Sequence, residues 1–293
     1  MAVLTDARKE VPSEAAGNRT GRLVTRAVLL VTLVALALLT VFPFYWMLVL
    51  STHARDTIFS APPPLWLGDD LQRNYQALMD VLPFWRNIWN SVYIAVISTL
   101  TTVFFCSLAG FGFAMYDFRG RNFLFGFVLV SLMLPQLLNI IPYYLIIDFL
   151  GWLNTPRAIW FPGMANAFGI FLMRQYTASA IPKELLDSAR IDGASEFRIY
   201  WSIVLPLVRP GVATLALLTF INQWNDFMGP LVILRNRDTY TIPLALRSLQ
   251  GIANTDWGAV MLGTALAVLP LVIIFFFTSR QVIEGLVRGS VKG

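Results

Sequence analysis

Hydrophobic and polar positions alternate along this chain in long blocks rather than residue by residue. Uncharged, mostly apolar runs occupy residues 27–52, 87–116, 122–147, 158–173 and 257–279. Another begins near Pro210 and continues past Asp226 to about Leu234. A helix needs about 20 apolar residues to cross a bilayer, so the pattern predicts six transmembrane helices. The first run exceeds the apolar region of about 7–15 residues found in secretory leaders. It reads as an uncleaved span, bent or frayed near Pro43. Pro135 and Pro142 interrupt the third span and predict a kink there. The fourth has only 16 uncharged residues, and Arg157 and Arg174 can snorkel to its two interfaces. Gly110 and Ala114 in the second span are small enough to let a neighbouring helix approach closely.

The polar blocks divide the rest. Residues 1–22 mix charged and small polar side chains with few bulky apolar ones, the signature of a disordered tail. Residues 23–293 form the transmembrane domain. Residues 53–86 and 235–256 read as two large loops on one side of the membrane. Residues 117–121 make a tight basic turn on the other.

Composition agrees with that class. The chain is 57% hydrophobic and 13% charged, against about a quarter charged in soluble domains. One cysteine, Cys106, and one histidine, His53, exclude an internal disulfide and a cysteine–histidine metal cluster. No G-x-x-x-x-G-K-[ST] phosphate loop is present, so any dependence on ATP comes from a partner. The net charge of +5 follows membrane topology. With both termini in the cytoplasm, 15 of the 22 lysines and arginines fall on the inner side, as the positive-inside rule expects. That distribution leaves no nucleic-acid surface.

The longest charge-bearing stretch between spans is Lys183 to Pro206, KELLDSARIDGASEFRIYWSIVLP. Pro182 suits the first turn of a helix. Leu185, Leu186 and Ala189 then share a face, with Asp187 and Arg190 turned elsewhere. Gly193 suits a left-handed C-cap, and Ser195 can cap a second helix running towards Pro206. Glu184 and Asp187 have two open readings, complementing the helix dipole or meeting a partner.

This helix, glycine turn and helix resembles the cytoplasmic coupling loop of ABC-importer permeases, the EAA motif. The matching residues are Asp187-Ser188-Ala189, Asp192-Gly193-Ala194 and Ile203-Val204-Leu205-Pro206. Aspartate stands for the family's first glutamate and serine for its first alanine. Asn74-Tyr75, Asn90-Ser91, Trp224-Asn225-Asp226-Phe227 and the Gly285 to Gly293 ending are similar to carbohydrate-uptake permeases of the MalG type. The resemblance implies an all-α integral membrane fold, the type I ABC importer permease fold of six transmembrane helices with a cytoplasmic coupling helix at about 175–206. It implies no enzymatic activity and no cofactor in this chain, ATP and Mg being bound by partner subunits. The implied assembly is a second six-span permease (MalF type), two ATPase subunits (MalK type) and an extracytoplasmic sugar-binding protein, in a bacterial cell membrane. Glu184, Asp187, Ser188, Ala189, Asp192, Gly193, Ala194, Leu205 and Pro206 would then form the ATPase-coupling site.

A second candidate lies in the fifth span: Asn222, Gln223, Trp224, Asn225 and Asp226. Counted along one continuous helix, Asp226 lies about 25 Å from Arg209, and Asn222 and Asp226 share a face. An ionisable residue at that depth meets a cavity or a partner. The cluster therefore reads as part of a translocation path or as a contact holding a neighbouring subunit. A competing reading is a secondary transporter, which would place several acidic residues or broken helices at the midplane. An intramembrane enzyme would need convergent catalytic groups that the spans do not supply.

Overall fold

The computed structural model describes residues 17–250 and 255–290, and among them it contains helices and no strand. Helices satisfy their own backbone hydrogen bonds, which a chain surrounded by hydrocarbon requires. In chain order they are α1 (Gly17–Leu50), α2 (Arg55–Ile58), α3 (Leu71–Val81), α4 (Phe84–Met115), α5 (Arg121–Leu132) and α6 (Ile140–Phe149). Then come α7 (Pro156–Trp160), α8 (Ala167–Ala180), α9 (Lys183–Ile191), α10 (Glu196–Ile199) and α11 (Leu205–Leu207). The last are α12 (Arg209–Trp224), α13 (Met228–Ile233), α14 (Ile242–Leu249) and α15 (Trp257–Ser290). Of the tail expected at 1–22, residues 17–22 begin α1, and 1–16 lie outside the described residues with 251–254 and the ending at 291–293, as do the side chains of 17–22, 136 and 277–290.

Among the described residues, three helices are long and apolar enough to cross a membrane, α1, α4 and α15, and two bent pairs pass the same test together. Helix α1 continues through Pro43 to Leu50, so it does not fray there. Its apolar stretch is exposed until Val49 and Leu50 reach the core. The remaining spans are more interrupted than the uncharged runs imply. The third is split into α5 and α6, which meet at 98° around Pro135 and a 3-10 turn (Gln136–Asn139). The fourth is two pieces, α7 and α8, separated by residues 161–166. The fifth ends at Trp224 and resumes only as the short α13.

Helix α4 is the axis of the bundle, packed against α8 and α12. Two glycines make the α4–α8 contact possible. A Cβ on Gly110 would lie 2.7 Å from the Arg174 backbone nitrogen, and one on Gly169 would lie 2.6 Å from Cys106 Sγ. At the far end the 235–256 loop contains an amphipathic helix, α14, which a plain loop reading missed. It buries Ile242, Leu244, Ala245, Leu246 and Leu249. The Asn87 side chain donates to the carbonyls of Arg237 (2.7 Å) and Tyr240 (3.1 Å), and Ser91 Oγ accepts from Ile242 N (2.8 Å). Asn74 ties α3 to the end of α1 through the Ser51 and His53 carbonyls.

Close helix approach should make Gly110 intolerant of even one methyl group. Gly110→Ala is expected to cost about 1–3 kcal/mol by overpacking. A Cβ at Gly112, on the same helix, meets nothing within 4 Å. Thermal unfolding in detergent should therefore show Gly110→Ala clearly destabilised and Gly112→Ala at least as stable as wild type.

Candidate functional site

Two sites stand at different depths in the bundle. The first is the helix pair at the end where α4 meets α5. Pro182 sits at the N-cap of α9, one position before the first turn in which it was expected. Leu186 and Ala189 are buried, whereas Leu185 is 40% exposed and falls off the predicted face. Glu184 is exposed in the first turn, and its carbonyl accepts from Ser188 Oγ (2.9 Å). The helix closes in a Schellman motif: Ala194 N donates to Ala189 O and Gly193 N to Arg190 O, both at 3.0 Å. Asp192 is the exposed C-cap, and Gly193 adopts φ +78°, the left-handed conformation that excludes most side chains. Ser195 Oγ caps α10 by accepting from Arg198 N (3.4 Å).

The second helix does not end at Pro206. After Ile199 it widens into a π turn (Tyr200–Val204), with Leu205 N bonded to Tyr200 O, and Pro206 lies inside α11. A proline ring clashes with the carbonyl four residues earlier, and the wider turn relieves that clash. Ala194 and Leu205 pack at the edge of a core built from Leu186, Ala189, Ile199, Tyr200 and Val204 against Phe111 and Met173. Tyr200 shares a hydrogen bond with Ser107 of α4 (2.8 Å), buried on both sides. The segment then turns by 81° into α12.

Arg190 organises the surface of this pair. Its Nε donates to Glu196 Oε1 (2.8 Å), its Nη2 to Glu196 Oε2 (3.3 Å) and its Nη1 to Asp187 Oδ1 (2.9 Å). The guanidinium lies 5.6 Å from the centre of the Tyr116 ring, and the Tyr116 hydroxyl donates to Glu196 Oε2. The Arg190 bonds, then the Tyr116 bond, hold the Glu196 carboxyl below its usual range. Burial and the Glu196 carboxylate push the Tyr116 phenol up to about 12. Tyr116 and Tyr200 were not foreseen as site residues. Arg190 and Glu196 are six positions apart across a glycine turn, and Tyr116 is 80 residues from Glu196, so no helical spacing rule joins them.

The second site lies where the broken spans meet. A cavity of about 630 Å³ is lined by Thr102 of α4, Ser131 of α5, Asn139, Asn166, and Asn222 and Gln223 of α12, among others. Its size is within the range of small-molecule sites, and every polar group named is uncharged. Gln223 Oε1 is buried without a protein partner. Of the five cluster residues expected to act together, only Asn222 and Gln223 line this cavity. Trp224 is 3% exposed and stacks on Phe220 at 5.8 Å, so it presents no surface here. Asp226 does not share a helical face with Asn222, because the helix has ended. Its Oδ1 accepts from Gly229 N (3.2 Å) at the start of α13. Asn225 and Asp226 border a separate hollow of about 450 Å³ with Leu137 and Ile140.

Comparison with known proteins places these features in context. The family described as binding-protein-dependent transport system inner membrane component matches residues 103–284. The chain is 36% identical over 256 residues to the lactose transport system permease protein LacG of Rhizobium radiobacter, covering 87% of this chain and 92% of the relative. It is 34% identical over 272 residues to the trehalose/maltose transport system permease protein MalG of Thermococcus litoralis, covering 92% and 97%. A chain from the crystal structure of a bacterial ABC transporter involved in the import of the acidic polysaccharide alginate superposes with a TM-score of 0.76 at 22% identity. That superposition covers 92% of this chain and 99% of the other, and it shows a common fold.

The depressed Glu196 carboxyl gives the helix pair a defined pH dependence. A group with a lowered folded pKa stabilises above its unfolded value and loses that contribution as pH falls through the folded one. Wild type should therefore lose thermal stability on acidification below about pH 4 more steeply than Glu196→Gln. Parallel slopes for the two proteins would contradict the pairing.

Proposed function

We propose a transport cycle for this chain from one premise: it belongs to the family of binding-protein-dependent transport system inner membrane components. It is a membrane-spanning permease subunit of an ABC sugar importer, which sets aside the secondary transporter. The family implies a partner permease, an ATPase and a binding protein. The finer assignment is our own: a MalF-type second permease, two MalK-type ATPase subunits that bind ATP and Mg and carry out the hydrolysis, and an extracytoplasmic sugar-binding protein. The α9–α10 end faces the cytoplasm with both termini, and the α3–α14 end faces outward.

One observation supports the coupling role above the others. The α9–α10 pair is fixed internally by its Schellman closure and its apolar core, yet Ile191 is 87% exposed and Phe197 61% exposed. Apolar side chains on a rigid, protruding element suit a docking surface for another protein. Glu184, Asp187, Ser188 and Asp192 add polar groups to that surface, and Ala189, Gly193, Ala194, Leu205 and Pro206 hold its shape. Closure of the ATPase pair pushes this element and switches the permease pair between inward- and outward-facing states. Asn222 and Gln223 line the path, where amides meet sugar hydroxyls. Asp226 sets the break that opens it. A neutral sugar, as the names of the lactose and trehalose/maltose relatives indicate, is the cargo class.

Two measurements on the importer assembled with its partners check this reading. Gly193→Val should insert normally yet lower sugar uptake per ATP hydrolysed, since a left-handed side chain costs about 1–2 kcal/mol. Gly193→Asn should retain more coupling because asparagine tolerates that conformation. In a Cys106→Ser background, Asn222→Cys should react with a membrane-impermeant thiol reagent at a rate that changes when ATP and vanadate trap the complex. Trp224→Cys should stay unreactive. Nucleotide-independent labelling of Asn222→Cys would count against the path.

A further inference from the structure

Helix α9 is joined covalently to α8 before it and, through α10, to α12 after it. Its side chains make a second set of attachments elsewhere. Arg190 near its C-terminal end reaches Tyr116, both directly over the ring and through Glu196. Lys183 at its first position pairs with Asp117 at 3.9 Å. Tyr116 and Asp117 are consecutive residues in the turn between α4 and α5. Asp117 also pairs with Arg121, the first residue of α5, and Arg121 Nη1 donates to the Tyr116 carbonyl (3.2 Å). Both ends of α9 are therefore tied to one turn, and that turn is tied to the start of α5.

Exposed ion pairs contribute little to stability, and the apolar contacts of Leu186 and Ala189 hold α9 without fixing its direction. The polar ties supply direction. The Arg190–Glu196 contact is a fork-to-fork pair with defined geometry, and the Tyr116 ring sets the plane on which the guanidinium rests. At its other end α5 carries Ser131 and Leu132 into the wall of the 630 Å³ cavity. Helix α5 also packs on α8, with Arg174 lying 4.3 Å from the centre of the Phe125 ring, so the turn adds a second route to that wall beside the one through α8.

We propose that the Tyr116–Asp117 turn is a second transmission point, through which displacement of α9 drives α4 and α5 and so reshapes the cavity wall. Tyr116, Asp117, Arg190 and Glu196 are positioning residues in this scheme, which rests on the reading of the chain as an importer subunit. It predicts that spans two and three follow α9 directly, beside the covalent pull on spans four and five.

The test uses the complete importer with Asn222→Cys in the Cys106→Ser background, labelled by an impermeant maleimide with and without ATP, Mg and vanadate. This readout is independent of which sugar is carried. Tyr116→Phe removes one hydroxyl and keeps the ring against Phe111 (5.2 Å), so the fold is preserved. It and Asp117→Asn should each reduce the nucleotide-dependent change in labelling rate about five-fold, the scale of a modest allosteric coupling. Asp238→Asn, which breaks a comparable exposed pair with Arg86 (3.5 Å) at the opposite end, should leave that change intact. An unaltered labelling response in assembled Tyr116→Phe and Asp117→Asn complexes would overturn the proposal. A parent complex whose labelling ignored nucleotide altogether would overturn the importer reading, and this inference with it.

Discussion

Hydrocarbon offers no hydrogen bonds, so a broken span is tolerated only where protein or a cavity satisfies the freed backbone. The architecture follows from meeting that requirement at the breaks in the fourth and fifth spans. At the fourth span, Asn166 Oδ1 accepts from Gly169 N (2.8 Å), Thr102 Oγ1 donates to Gly163 O (3.2 Å) and Cys106 Sγ lies 3.6 Å from Asn166 O. At the fifth, Asn225 Nδ2 donates to Ile221 O (2.9 Å) and Asp226 Oδ1 accepts from Gly229 N. The side chains that serve these backbones bring polarity into the bundle, and the breaks that need them open the space they line. The cavity and the interruptions are one structural fact.

Helix α4 makes this arrangement rigid. Its glycine contact at Gly110 draws α8 close, which puts Thr102 and Cys106 within reach of the fourth-span break. Five residues beyond Cys106, the same helix places Phe111 in the core that seats the α9–α10 pair, against Tyr200 (6.0 Å). One uninterrupted element therefore carries both part of the cavity wall and the base of the α9–α10 pair.

The α9–α10 pair shows how unequal forces divide the work. Burial of Leu186, Ile199, Tyr200 and Val204 supplies most of its attachment, at roughly 1.5–3 kcal/mol for each fully buried large apolar side chain. The exposed Arg190 pairs contribute about 0–1 kcal/mol apiece, too little to hold the element but enough to orient it. Apolar burial fixes where α9 sits, and the Arg190 fork fixes which way it points.

The amino-acid sequence by itself determined the class, the helical content and the helix–glycine–helix motif at Lys183 to Pro206. Each of these is local: an uncharged run shows its length, Gly193 shows its need for φ above zero, and Ser195 shows its cap. The breaks were legible only as punctuation, through Pro135 and Pro142 in the third span. In the fourth span Pro162-Gly163 punctuates the break in the same way, and in the fifth Gly229-Pro230 follows it. There the outcome depends on whether Thr102, Cys106 and Asn166 arrive to satisfy the freed backbone, which is a tertiary matter. Trp224 and Asp226 were misplaced for the same reason, since a helical wheel holds only while the helix lasts. The Tyr116–Arg190–Glu196 cluster joins residues brought together by the packing of α4 beneath a glycine turn. Nothing in their spacing encodes that distance, so only the folded chain could decide it.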